Sequence, residues 1–325
     1  QSVVGAGEIV YSSTKNMYVT SYALDNVLAI QAGKKPKEPV TRIHKFDISD
    51  PKTTTYVGSG EVVGFLLNQF SISEHGGYLR VASTFGTQWF GAGASSSESA
   101  VTVLREKAGK LVRVGSIDGL GIGERIFSVR FMGTKAYVVT FRRIDPLYVI
   151  DLRSPSRPRV RGKLKVPGYS GYLHPLSDSL LLGVGRDADK RGVTKGIQFS
   201  LFDVSQPAKP RRLAAKVVGE FGESSVESDH HAFLYWAPER LLVVPAQIWD
   251  DSGHDFFQGA LALTVSSKVG FGEPVRLTHV GREGAGQDSQ IRRSLVIGKR
   301  LLTVSNGGVL VSDLDSLTDR AWIPL

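Results

Sequence analysis

The chain of 325 residues contains no cysteine, which removes disulfides, thiolate metal ligands and cysteine nucleophiles together and leaves the redox compartment open. It also lacks any apolar run near the roughly 18 residues needed to cross a bilayer. Its longest apolar stretches, such as "AYVVTF" and "LLVVPA", have the length of buried strands, so a water-soluble protein is expected. No segment combines the i, i+3, i+4 period with the capping residues of a helix. There is no G-x-S-x-G elbow, so a serine hydrolase has no support. The sequence begins at Gln1 with neither an initiator Met nor a basic segment followed by an apolar one, so a processed form or a fragment is expected.

What the chain does have is repetition. An apolar run ends in Asp, one apolar residue follows, and then comes a turn bearing Ser or Pro: "KFDISDP" at Asp47, "VIDLRSP" at Asp151, "LFDVSQP" at Asp203 and "VSDLDSL" at Asp313. These anchors lie 104, 52 and 110 residues apart, and the two long gaps each hold one degenerate copy, "AVTVLREKAG" and "GALALTVSSK". Six units result. From Arg125 to Val166 the internal order is plainest: "RIFSVRFMG", "KAYVVTF", "PLYVIDL", a turn, then "RVRGKLKV". This is a four-stranded meander, and repeated units of about fifty residues of this kind predict an all-β fold, a β-propeller. The expected blades are approximately 8–58, 59–116, 117–166, 167–219, 220–282 and 283–325, in one domain spanning 1–325.

The second strands are apolar almost throughout, which suits strands covered on both faces. "RVRGKLKV" instead alternates, with Val160, Leu164 and Val166 on one face and Arg159, Arg161, Lys163 and Lys165 on the other, the pattern of an exposed outer strand whose cations discourage edge pairing. In the turn before it, the Asp carboxylate is placed to accept backbone N–H groups and Pro presets φ. The net charge of +9 therefore reads first as solvated charge spread around outer strands and turns without converging. Nucleic-acid binding would want basic residues interleaved with exposed aromatics, and none are interleaved here. Attachment to a cell-wall polyanion through the basic outer strands is the competing reading.

Aligning the blades on their second strands places polar residues in or just before the first strands, which line a propeller's channel. Asn68, Gln69, Arg125, Tyr169, Ser170, Asp229, His230, Gln290 and Arg292 are thereby expected to ring the channel mouth. "SDHHAF" (228–233) sets His230 beside His231. On a strand the two would face opposite sides, so one is expected in the channel and the other between blades. A divalent metal would need ligands from elsewhere, for which His174 joins Asp229 and His230, with Glu74 and His75 as further donors. Hydrogen bonding between Asp and His that closes a blade is the favoured reading, and no cofactor is required. "GLGIGER" and "GRDADKRG" read as turns, since neither has the further residues of a phosphate or calcium loop. "WDDSGHDFFQG", with Asp250, Asp251, His254 and Asp255, reads as a solvated loop. A glycosidase using carboxylates from different blades stays open, because spacing selects no pair.

"LLNQFSISEHGGYLRVAST", "GERIFSVRFMG", "RRIDPLYVIDL", "SLFDVSQPAKP" and "DHHAFLYW" resemble bacterial secreted proteins with a C-terminal β-propeller domain. The resemblance runs from about residue 40 to the end. It implies export, with the protein secreted or at the cell surface. It also implies strand-rich sequence before Gln1, so an N-terminal fragment supplying further blades is an expected partner. The resemblance carries no catalytic residue. The functional expectation is a binding or scaffold module whose partner is a protein or a wall glycan. A metal-assisted or glycan-cleaving enzyme at the same channel mouth is the alternative.

Overall fold

A computed structural model describes residues 7–22, 39–86, 97–141, 145–252, 255–286 and 289–325. Six antiparallel meanders follow one another. The first is built from Val10–Ser12, Asn16–Tyr22, Val40–Asp47 and Thr55–Val63, and so extends past the expected boundary at 58. The second runs from Ile72–His75 to Lys110–Leu120, the third from Arg125–Met132 to Arg159–Val166, and the fourth from Tyr169–Ser177 to Arg211–Val218. The sixth runs from Arg293–Ile297 to Asp319–Pro324. A parallel bridge between Ser59 and Lys110 joins the first two into one eight-stranded sheet. No α-helix occurs among the described residues, and no helix is long and apolar enough to cross a membrane.

The chain divides into two compact units, Gln1–Lys165 with Gln206–Pro210, and Val166–Ser205 with Arg211–Leu325. In each, the apolar second and third strands form the core: Ala136, Tyr137, Val138 and Val139 are wholly buried in the first unit, as are Leu242, Val243 and Val244 in the second. The outer strand Arg159–Val166 leaves Arg159, Arg161, Lys163 and Lys165 exposed and Val166 buried, as alternation requires, but Val160, expected on the same face as Val166, is exposed as well.

The repeated Asp closes the third strand each time. Its carboxylate accepts the backbone N–H two residues on: Ser49 to Asp47 at 2.8 Å, Arg153 to Asp151 at 3.0 Å, Ser205 to Asp203 at 2.9 Å and Asp315 to Asp313 at 3.2 Å. The Ser205 bonds and then Arg211 hold the Asp203 carboxyl down to about 2. The turns that follow dock on glycines of a neighbouring outer strand. A Cβ at Gly115 would lie 2.4 Å from the Pro155 carbonyl oxygen, and one at Gly162 only 2.3 Å from that of Pro207. Absence of a side chain at these two positions is what lets the Pro-bearing turn seat backbone against backbone.

The fifth meander is irregular. Its first strand is split into Phe221–Glu223 and Leu234–Trp236, both paired antiparallel to Leu241–Trp249. Between them the chain leaves the sheet as two 3-10 turns, Ser225–Glu227 and His230–Ala232. Ser224 and Asp229 cap these turns, their side chains accepting from Val226 and His231 N–H. Short polar side chains that bond the backbone two residues ahead compete with the sheet ladder, and two such residues five apart end the strand.

Candidate functional site

In the second unit a cleft of about 350 Å³ is lined mostly by the fifth meander, including residues from 223–228 and 245–247. The fourth meander contributes Arg186, on the strand Leu180–Ala188. Its Nε donates to Glu227 Oε1 and its Nη2 to Glu223 Oε2, each at 3.0 Å. Burial opposes the guanidinium charge, but Glu227 and then Glu223 outweigh it and raise its pKa. Glu227 fits because the neighbouring position is bare: a Cβ on Gly171 would come within 2.9 Å of it. Gln247 and Gln290 add amides to the lining, and Ser225, Ser228, Pro245 and Ala246 complete most of the rest. The Ser225 hydroxyl oxygen is buried and has no hydrogen-bond partner among the described residues.

Beyond Ser228 the capped turn sets Asp229, His230 and His231 together. A 3-10 turn places successive side chains about a third of a revolution apart, so the two imidazoles do not face opposite sides as strand geometry required. Their ring centroids are 3.8 Å apart. Asp229 Oδ1 accepts the His231 N–H at 3.0 Å and lies 3.4 Å from His231 Nδ1, while Oδ2 pairs with Arg293 Nη1 at 2.7 Å. Partial burial works against the Asp229 charge, yet the Arg293 and His231 bonds outweigh it and keep the carboxyl below its ordinary range. One potential ligand atom from each of the three residues lies within 4.8 Å of the others, the one such cluster among the described residues.

His174 is not part of that cluster. Its ring lies 4.6 Å from Phe233 and packs near Tyr172 and Tyr235, an aromatic stack along the fourth and fifth meanders. Tyr169 is 6% exposed and pairs across the sheet with Arg186; Ser170 is 3% exposed. Gln290 lines the cleft, whereas Arg292 is exposed and the neighbouring Arg293 makes the ion pair.

Asn68, Gln69 and Arg125 belong to the first unit. Asn68 caps the turn Gln69–Ser71, accepting from Phe70 N–H at 3.0 Å, so the first strand of that meander starts only at Ile72. Arg125 lies over the Phe127 ring at 4.8 Å. Glu74 accepts from Ser13 at 2.6 Å and Asn16 at 2.7 Å, a tie between the first two meanders. In "GRDADKRG", Asp189 closes the hairpin by accepting from Arg191 and Val193 N–H. His254 lies outside the described residues.

The expectation that basic charge does not converge is corrected in the first unit. Arg153, Arg157, Arg159 and Arg161 surround one groove of about 430 Å³ with Asp151, whose carboxylate is already engaged by Arg153. Turn and edge strand were assigned separately from sequence; the fold lays them side by side.

Arg186, Glu223, Glu227, Gln247 and Arg293 were not singled out from sequence. One signal was available: Ser224 to Glu227 has the S-x-x-E spacing of a capped turn.

A family model described as "Beta propeller domain" matches residues 1–317. An uncharacterized protein of Methanocaldococcus jannaschii is 40% identical over 190 residues, covering 58% of this chain and 29% of its own. An uncharacterized protein of Archaeoglobus fulgidus is 41% identical over 189 residues, covering 58% and 28%. The matched region is thus less than a third of the length of these archaeal relatives. Among solved structures, the periplasmic gluconolactonase PpgL of Pseudomonas aeruginosa superposes with a TM-score of 0.56 at 15% identity, over 98% of this chain and 84% of that one. AztD of Citrobacter koseri gives 0.53 at 11% identity, over 98% and 71%. At these identities the likeness is one of fold alone.

Proposed function

Because the chain belongs to the β-propeller domain family, we propose that residues 1–325 form one propeller domain of an exported binding module, holding a polar ligand of the glycan class in the Arg186 cleft. The observation that carries the reading is the lining itself: the Glu223 and Glu227 carboxylates, the Arg186 guanidinium and the Gln247 and Gln290 amides share one cleft with Ser224, Ser225 and Ser228. Acceptors and donors side by side suit neighbouring sugar hydroxyls.

Binding is favoured over glycan cleavage because Glu223 and Glu227 share one guanidinium. An acid and a base would need environments that push them apart. Export rests on the sequence resemblance, and cell fractionation tests it separately. For the cleft, titration calorimetry with a panel of soluble oligosaccharides is expected to find one that binds wild type and is lost in Glu227→Gln. Absence of binding by every sugar, with a protein recovered instead by cross-linking through the cleft, refutes the glycan assignment.

The arginine groove favours a second reading, attachment to a wall polyanion. Arg157, Arg159 and Arg161 line one groove whose sole carboxylate is taken by Arg153. Retention on immobilised polyphosphate that falls steeply with salt, and is abolished in Arg157→Glu/Arg159→Glu, is the expected result. Retention that ignores salt sinks it.

A further inference from the structure

We infer that Asp229, His230 and His231 form a binding site for a divalent transition metal of the zinc class. This does not rest on the glycan reading. The placement follows from the backbone: a strand would have parted the two histidines, and the Asp229-capped 3-10 turn brings them onto one side with the cap itself as third donor. Two imidazoles and one carboxylate are the donors that zinc(II), copper(II) and nickel(II) favour. Calcium and magnesium want oxygen throughout.

The carboxylate is oriented before any ion arrives. Arg293 holds Oδ2 at 2.7 Å, and the His231 N–H holds Oδ1 at 3.0 Å on the side facing His231 Nδ1. Such outer partners are what fix ligating carboxylates in metal sites. An ion between Oδ1 and Nδ1 takes the place of the weak 3.4 Å contact there. The side chains of Asp229 and His231 are 40% and 67% exposed, so the ion keeps coordination positions for water. Ser228, which lines the cleft, adjoins Asp229 in the chain, and the ion therefore stands at the cleft rim.

The test is calorimetric titration of the full, untagged chain with zinc chloride in a buffer that does not chelate, with cobalt(II) followed by visible absorption as a second probe. One ion per chain is expected, with affinity reduced at least tenfold in His230→Ala and in His231→Ala and reduced in Asp229→Asn, which keeps the cap. Melting curves without metal are expected to overlay, since none of these side chains belongs to the core. No saturable binding overturns the inference. So does binding as tight as that of wild type in His230→Ala and in His231→Ala, which would assign the ion to other residues. Sugar binding by the His230→Ala chain is expected to persist, so the two proposals fail separately.

Discussion

His279 is fully buried against the sixth meander, with Nε2 2.8 Å from Thr303 Oγ1 and Nδ1 2.8 Å from Ser305 Oγ. The Ser305 hydroxyl donates to the Gly308 carbonyl and so accepts from Nδ1, which leaves Nε2 to accept from Thr303. Trp322 packs edge-on at 4.7 Å. Both nitrogens are satisfied in the neutral ring, and burial, followed by the charge of Arg282, lowers its pKa from 6.5 to about 4. Between those values the unfolded chain binds a proton that the folded chain refuses, so stability is present above pH 6.5 and is lost as pH falls toward 4. At about 1.4 kcal/mol per unit, the loss between pH 7 and pH 5 is about 2 kcal/mol, rising to about 3 kcal/mol below pH 4. In a chain of this size that is roughly 4 °C of melting midpoint at pH 5. The assay is thermal melting of wild type and His279→Gln across pH 7 to 5. The glutamine keeps a donor and an acceptor without titrating, so the variant is expected to be less stable at pH 7 and the gap to narrow by about 2 kcal/mol at pH 5. A gap that stays constant across this range refutes the reasoning.

Gly162→Ala forces a methyl against the Pro207 carbonyl at 2.3 Å; overpacking of this kind costs about 1–3 kcal/mol, and a lowered melting midpoint checks it. Asp203→Ala removes the bonds to Ser205 N–H and Arg211 at 2.9 and 2.5 Å, an expected loss of about 1 kcal/mol by denaturant titration. Since the Asp203 pKa is depressed to about 2, its contribution is present above pH 3.8 and fades as pH drops through 2, so the variant and wild type should converge only in strong acid. Gly171→Ala crowds Glu227 at 2.9 Å; sugar titration is expected to show weakened binding with little change in melting.

The meanders were legible because their signal is repeated and local. Apolar second strands, an alternating outer strand such as Arg159–Val166, and an Asp that captures its own turn each recur at spacings that leave few other folds. What the repeat obscured was geometry between units. Gly115 and Gly162 lie inside strands with nothing in their local sequence to mark them, and only the fold shows the neighbouring turn pressed against each. The arginines at 153–161 look dispersed along the chain for a related reason: a turn and the strand after it fold back on each other, so residues four and six apart meet over one groove.

Aligning the blades on their second strands assumes that every blade opens with a regular strand, which sets side chains alternately inward and outward. Where that holds, as at Tyr169, the residue chosen is buried and paired, and the cleft takes its cross-strand partner Arg186 instead. Where it breaks, at 224–233, two side-chain caps outcompete the ladder and the polar residues leave the sheet together. Sequences that specify a fold through consistent local rules tend to violate them at functional sites. In the fifth meander the interrupted strand borders the cleft, supplies the partnerless Ser225 hydroxyl and gathers Asp229, His230 and His231. The departure from the repeat is therefore a better guide to the proposed site than alignment of the blades: Ser224 and Asp229, residues that bond their own backbone, mark where the strand gives way to the surface proposed to bind.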